Sequence, residues 1–392
     1  MERAYGGLAG DRPDPDLAVV AAQFGRLLAL YERYEEAATV LEEALELAEH
    51  LELPEVFSQA LSSKAITLTH TDRLDEAGVL LRRAIEVALE HGFNAATMRA
   101  QNNLAMVYES QDRFVEMLGL TDQQLELARR AGDRFWELST LTGSLSPMIR
   151  LGRWDDATAR AAEAQAAEEL SSLKHTGLQL MVMTEVHLNR GDLAEAERLL
   201  ETLAWTGRSE RWEARVSHAL ATAEVLRVRE RAAEALAAAE EFLDTRSERQ
   251  LGLTDALVKQ ALVLAIQAAI DLGDLAKADE LLGMVRTARP GQVSPWLWAQ
   301  VARLSAQTAA GRGDHDAVEP GFEMAEARFR ALGTPFELAT SLTEHAEWLT
   351  ARGRGDKARA MRVEARQIFE QLRAHNWVER IGPIEEAESV PA

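Results

Sequence analysis

Apolar residues along this chain recur at intervals of three and four through segment after segment, and no segment shows the two-residue alternation of a strand. Short polar turns separate the segments, and the turns are themselves periodic. RYEEA, RLDEA, RFVEM, RWDDA, DLAEA, RAAEA, DLAKA, DHDAV and RGDKA all follow one scheme, a turn, then a reference position, then most often an acidic residue and alanine. The reference positions are Tyr34, Leu74, Phe114, Trp154, Leu193, Ala232, Leu275, His315 and Gly355, spaced by 39 to 43 residues. This regularity predicts an all-α chain of about nine helical hairpins with a period of about 40 residues. The second unit shows the logic. Gln59 to His70 form a first helix, Thr71, Asp72 and Arg73 a turn, and Asp75 to Glu90 a second helix, with Asp75 expected as N-cap and Gly92 as C-cap. Ala77, Leu80, Leu81, Ala84, Ile85 and Ala88 make one apolar stripe, in which the alanines let neighbouring helices approach closely.

Residues 1–15 read as a flexible leader, 16–245 as units one to six, 246–382 as units seven to nine with a capping helix, and 383–392 as a disordered tail. Three irregularities stand out. Pro147 should kink the first helix of the fourth unit. The 43-residue step after Ala232 predicts a bend or loop near Thr245 to Leu253. The last helix, Asp356 to Ala374, exposes Arg359, Arg362, Glu364, Arg366 and Gln371, and Trp377 is expected to fold back over it as a cap.

Such hairpins resemble tetratricopeptide repeats, in a variant longer than the plain 34-residue unit, which implies a right-handed superhelical solenoid with the first helices on its inner curve. In the third unit, MRAQNNLAMVYESQDRF, the resemblance puts Leu104, Ala105 and Tyr108 at packing positions and turns Arg99, Asn102, Asn103, Met106 and Glu109 inward. The NNLAxxY string is similar to the repeats of kinesin light chain, which implies that Asn102 and Asn103 hold the backbone of an extended peptide. Asparagine suits that task because its amide both donates and accepts, and it is otherwise a poor helix former. Equivalent offsets give Gln23, Arg26, Gln59, Ser62, Ser63, Thr142 and Arg150, then Glu185 and Asn189; from the sixth unit on these positions are read as apolar. The candidate groove therefore lies in units one to five. Its arginines would select an acidic segment or a C-terminal carboxylate.

Of 392 residues, 64 are acidic and 43 basic, a formal net charge of -21, which opposes attraction to nucleic acid or anionic lipid. There is no cysteine, so neither disulfides nor thiolate metal sites exist. No signal peptide is evident, and the longest apolar run, Ala261 to Ile270, falls far short of a membrane span. A cytoplasmic location fits. The nine histidines are scattered without metal-ligand spacing, and His345 beside Glu344 reads as a surface pair. Neither cofactor nor metal is expected. No nucleophile, base and oxyanion donor converge, so no enzyme is indicated. The eight tryptophans read mainly as packing, although Trp296 and Trp298 stand two apart and one of them should be accessible.

Three strings extend the resemblance: LELPEVFSQALSSKAITLTHTDRLDEAGVLLRRAIEVALEHG, then LARRAGDRFWEL with LGRWDDA, then LGTPFELATSLTEHAEWLTARGRGDKARAMRVEARQIFEQLRA. They resemble the C-terminal repeat region of bacterial adenylate or guanylate cyclase–STAND ATPase proteins and related transcriptional regulators. That implies a sensor or partner-binding arm restraining an ATPase, cyclase or DNA-binding effector. This chain has no P-loop, no cyclase domain and no helix-turn-helix ahead of the repeats, so it is either a fragment or a stand-alone protein whose effector is a separate chain. The sequence thus favours a protein- or peptide-binding scaffold of bacterial signalling, and alternatively a small-molecule sensor controlling the same kinds of effector.

Overall fold

The computed structural model describes residues 2–8, 14–169, 182–246, 251–289 and 291–383. All nine reference positions are the first residue of a helix. In chain order the helices are α1 (Glu2–Leu8), α2 (Pro15–Leu30), α3 (Tyr34–His50), α4 (Pro54–Thr69), α5 (Leu74–Glu90), α6 (Asn94–Ser110), α7 (Phe114–Ala131), α8 (Arg134–Gly143), α9 (Leu145–Arg150) and α10 (Trp154–Glu169). They continue with α11 (Met183–Arg190), α12 (Leu193–Thr202), α13 (Trp212–Val228), α14 (Ala232–Thr245), α15 (Ala256–Asp271), α16 (Leu275–Arg286), α17 (Pro295–Arg312), α18 (His315–Leu332), α19 (Pro335–Thr350), α20 (Gly355–Leu372) and α21 (His375–Ile381). No strand occurs among the described residues.

One turn is repeated in every hairpin. The residue two before each anchor is left-handed: Glu32, Asp72, Asp112, Gly152, Gly191, Glu230, Gly273, Gly313 and Gly353 all have φ between 57° and 89°. The next residue's N–H then reaches back five residues to a carbonyl of the finished helix, as Arg73 does to Leu68 at 3.1 Å and Arg153 to Met148 at 2.8 Å. This closure satisfies the helix end and reverses the chain. The expected caps need one correction. Leu74 opens α5 behind Arg73, which makes no side-chain cap, and Asp75 sits inside the first turn, where the helix dipole favours a carboxylate. Gly92 does follow the C-cap His91, with φ of 71°.

Packing repeats with equal regularity. Three residues after the anchors stand Ala37, Ala77, Met117, Ala157, Ala196, Ala235, Ala278, Val318 and Ala358, all buried. Alanine at seven of the nine brings the two helices of a hairpin into close contact, and Met117 and Val318 fill the position in the other two. Pro147 lies in α9, and the first helix of the fourth hairpin is interrupted at Ser144, because proline offers no N–H to the preceding turn.

The chain divides into two compact units, an N-terminal one of Met1–Ser144 with Gln250–Thr254 and a C-terminal one of Leu145–Arg249 with Asp255–Ala392. In the N-terminal unit the leader is partly ordered. Glu2–Leu8 is helical, the Tyr5 ring packs on Phe24 at 5.3 Å, and the Tyr5 hydroxyl donates to Glu43. Residues 9–13, and the tail from 384 on, lie outside the described residues, as do 247–250 in the expected loop. The flanking helices are α14, which ends at Thr245, and α15, which starts at Ala256.

The C-terminal unit closes on itself. Its first elements, α9 to α11, meet its last, α19 to α21. Trp154 packs on Phe336 at 5.2 Å, and Phe336 and Phe369 both contact Trp377. Arg190 Nε donates to the Leu372 carbonyl, Asn376 Nδ2 to the Leu188 carbonyl and Trp377 Nε1 to Asn189 Oδ1, each at 3.3 Å. Asp155 bridges Arg190 at 2.7 Å and Arg373 at 3.0 Å. The expected fold-back of Trp377 is thus a seam between repeats that are 188 residues apart in sequence. Gly152 lies in that seam, with Pro335 and Leu372 directly over its α-carbon.

Candidate functional site

Closing the C-terminal unit leaves a cavity of about 540 Å³, lined by first helices α11, α13, α15, α17 and α19 together with Arg150 of α9 and α21. First helices therefore form the inner wall, as the repeat architecture predicts. The polar character is recurrent: Glu185, Glu224, Gln267, Gln307 and Glu347 each stand eight residues before their anchor and each line the cavity. The expectation of an apolar wall from the sixth unit on is corrected by the last four of these residues. Eight positions before the anchor is the register that carries the signal, and it is visible only when the hairpins are aligned on the turn.

Neighbouring rungs are bonded across helices. Arg150 donates through Nη1 to Glu185 at 2.9 Å and Glu337 at 2.8 Å, and its guanidinium lies over the Trp296 ring at 4.9 Å. Trp296 Nε1 donates to the same Glu337 oxygen at 3.0 Å. Gln260 donates to Glu224 at 2.9 Å. Arg303, buried, donates to Glu344 at 2.7 Å and to Gln300 at 3.0 Å. Trp348 and Trp377, read as packing, line the cavity together with Trp296, whereas Trp154 is wholly buried. His345 is no surface residue either: it is fully buried and paired with Glu326 at 2.9 Å, while Glu344 faces the cavity.

Burial and crowding set the electrostatics. Burial works against the charge on Arg150, but Glu185 and Glu337 outweigh it and hold the guanidinium firmly charged. Glu185 is pushed above the usual carboxylate range by burial, with Arg150 opposing and Glu337 adding to the rise. Glu224 is pushed up to about 7, first by burial and then by Glu185. Among the described residues no group of three or more acidic or histidine side chains is placed to hold a metal ion, and no helix is long and apolar enough to cross a membrane.

Of the residues chosen from sequence, Arg150, Glu185 and Asn189 line this cavity. The others lie in the N-terminal unit. There Gln23 donates to Gln59 at 2.8 Å and Asn103 to Ser62 at 3.0 Å, so the amides tie successive first helices together. Ser62, Ser63 and Thr142 are buried, and Ser63 and Thr142 donate to the Gln59 and Leu138 carbonyls of their own helices; these three serve packing rather than a groove. Asn102 lies beside Met106, which is well exposed, and Glu109 is half-buried. Arg99 is half-buried beside Arg26, and its Nη1 is buried without a hydrogen-bond partner. Burial, then Arg26, lower its affinity for a proton.

No family model matches the chain, and no curated protein matches it in sequence. Among solved structures it is similar to a Rap protein complexed with competence and sporulation factor, with a TM-score of 0.62 at 13% identity over 91% of this chain and 99% of that one. Weaker likenesses are the Cut9–Hcn1 hetero-tetramer of the APC/C (TM-score 0.48, 12% identity, 97% and 81% coverage) and the apo quorum sensor NprR from B. thuringiensis (0.40, 13%, 95% and 93%). At these identities the likeness is one of fold, and the fold is an all-helical solenoid of the tetratricopeptide type.

Proposed function

We propose that this chain is a non-enzymatic receptor scaffold that holds a short peptide or a small molecule in the cavity of its C-terminal unit and passes the bound state to an associated effector. The observation that carries the reading is the closed seam around a polar-walled cavity of about 540 Å³, a volume within the range of roughly 300–1,000 Å³ common to ligand sites. The Rap protein similar in fold was itself solved with a bound factor. The effector, an ATPase, cyclase or DNA-binding protein of a bacterial signalling system, follows from the repeat-arm resemblance. The test is thermal unfolding and tryptophan fluorescence against a panel of short peptides and metabolites, with Gln307→Trp as a variant that fills the cavity. A ligand at a hundred times its dissociation constant adds about 2.7 kcal/mol of stability. Binding that Gln307→Trp leaves unchanged would remove the cavity as the site.

A second reading keeps the inner wall of the N-terminal unit as a partner surface. It is favoured by Arg26 and Arg99, neighbouring cations with no ion pair among the described residues in a strongly acidic chain. An acidic segment of a partner protein would neutralise them while Asn102 and Asn103 bind its backbone. Partner capture that survives both Arg99→Glu and the pair Asn102→Ala with Asn103→Ala would rule this reading out.

A further inference from the structure

The cavity wall carries four arginines, Arg150, Arg227, Arg303 and Arg380, against six carboxylates. Three of the arginines have a carboxylate each: Arg227 meets Asp271 at 3.0 Å, Arg303 meets Glu344 at 2.7 Å and Arg380 meets Glu347 at 2.8 Å. At the other end Arg150 bonds both Glu185 and Glu337, and Glu224 is met by Arg150 and Arg227 only through space. Glu337 is 5% exposed. One of its oxygens takes both Arg150 and Trp296, and the other, Oε2, is buried with no donor. A buried carboxylate oxygen without a donor is costly, and a cation brought by a ligand removes that cost.

We infer that the cavity recognises its ligand by a positive group, a primary ammonium or a guanidinium, seated among Glu185, Glu224 and Glu337. The inference rests on the cavity being the ligand site. Such a group supplies the missing donors and offsets the local excess of negative charge, and the Trp296 ring already stacks beneath the guanidinium of Arg150, so this end of the cavity tolerates cation–aromatic contact.

Proton release is a second signature. The groups that face Glu224 are Glu185 on α11, Arg150 on α9, Arg227 on its own helix and the Gln260 amide on α15. With Glu224 titrating at about 7, a cation placed beside it pulls that value down and expels about half a proton per ligand at neutral pH.

The experiment is titration calorimetry of the full chain in two buffers of different ionisation enthalpy, together with cavity tryptophan fluorescence. The probes are octylamine, octanol and octanoate, and the peptide amide Ala-Leu-Leu-Ala with a free or an acetylated N-terminus. Octylamine is expected to bind at least tenfold more tightly than octanol, with octanoate weakest, and to release protons. The peptide pair shows whether an N-terminal amine can be the source of the charge, in which case acetylation costs about the same factor. Glu337→Gln should weaken octylamine tenfold or more, and Glu224→Gln should abolish the proton release, both with the unfolding midpoint checked. Equal binding of octylamine and octanol, or release that persists in Glu224→Gln, overturns the charge assignment. If a neutral or anionic probe binds, is lost in Gln307→Trp, and no amine does, the cavity stands and this inference falls; if no probe and no member of the peptide and metabolite panel binds, both fall.

Discussion

Gly152→Ala separates the seam from the turn it happens to share. Gly152 occupies the left-handed turn position, with φ of 72°, and an added Cβ would stand 2.5 Å from Pro335 Cγ and 3.1 Å from Leu372 Cδ2. Gly353 has the same φ of 72° at the same turn position, but a Cβ there meets nothing within 4 Å. Alanine should therefore cost about 1–2 kcal/mol of left-handed backbone strain at either site. At Gly152 alone it should cost a further 1–3 kcal/mol or so for overpacking against the proline ring. The assay is the urea unfolding midpoint followed by tryptophan fluorescence, to which Trp154 and Trp377 report from the seam itself. A double-mutant cycle with Pro335→Ala completes it, because deleting the ring should return most of the extra cost. If Gly152→Ala and Gly353→Ala destabilise equally, or if Pro335→Ala returns nothing, the repeats do not meet as described.

Where the same turn position holds a larger residue, the sign reverses: Glu230→Gly, at φ of 60°, should stabilise by about 0.5–1 kcal/mol after the entropy of glycine is subtracted, read as a rise in melting temperature. Arg303→Met should destabilise by about 3–5 kcal/mol, since it strands the Glu344 carboxylate in the cavity wall; chemical denaturation would show it, and a loss under 1 kcal/mol would contradict the pairing. Glu224 titrates at about 7 in the folded chain against a reference of 4.5, so it is protonated only in the folded state between these values. Its contribution to stability is therefore lost as pH rises through that window. Glu224→Gln should accordingly gain in melting temperature relative to wild type between pH 5 and pH 8, and a constant difference would refute the shift. Arg99→Met should leave the free chain as stable or more so, because it removes a desolvated cation beside Arg26, while weakening capture of any acidic partner.

How much of this was legible in one sequence divides along the range of the interactions involved. The turn anchors predicted every second-helix start, because each is set by a five-residue closure and a local hydrophobic pattern. The third-position alanines were legible for the same reason. Asp75 was misread as a cap because acidic residues are favoured both at caps and in the first turn, and pattern alone does not separate them. The cavity escaped notice on other grounds. Whether Trp377 reaches Asn189 depends on the small rotation between successive hairpins, which accumulates over the array and leaves no mark in a single period. The inner-wall offsets were taken from the third hairpin, whose Asn102 and Asn103 stand twelve and eleven residues before their anchor. Of the cavity residues at the eighth position Glu185 was named from the sequence, whereas Glu224, Gln267, Gln307 and Glu347 were passed over, and Arg150 was selected without its partner Glu337, 187 residues away. His345 looked exposed beside Glu344 because neighbouring residues on a helix point in different directions, one to the core and one to the cavity.

The seam also bears on how such a molecule can change over generations. An open solenoid lengthens or shortens by duplication or loss of a hairpin, since each unit answers only to its neighbours. Between Leu145 and Ile381 that freedom is absent. One hairpin more would carry Trp377 past Asn189, and one fewer would leave Gly152 without Pro335 above it. The repeat number there is a dimension of the cavity, and drift in this unit is confined to substitution.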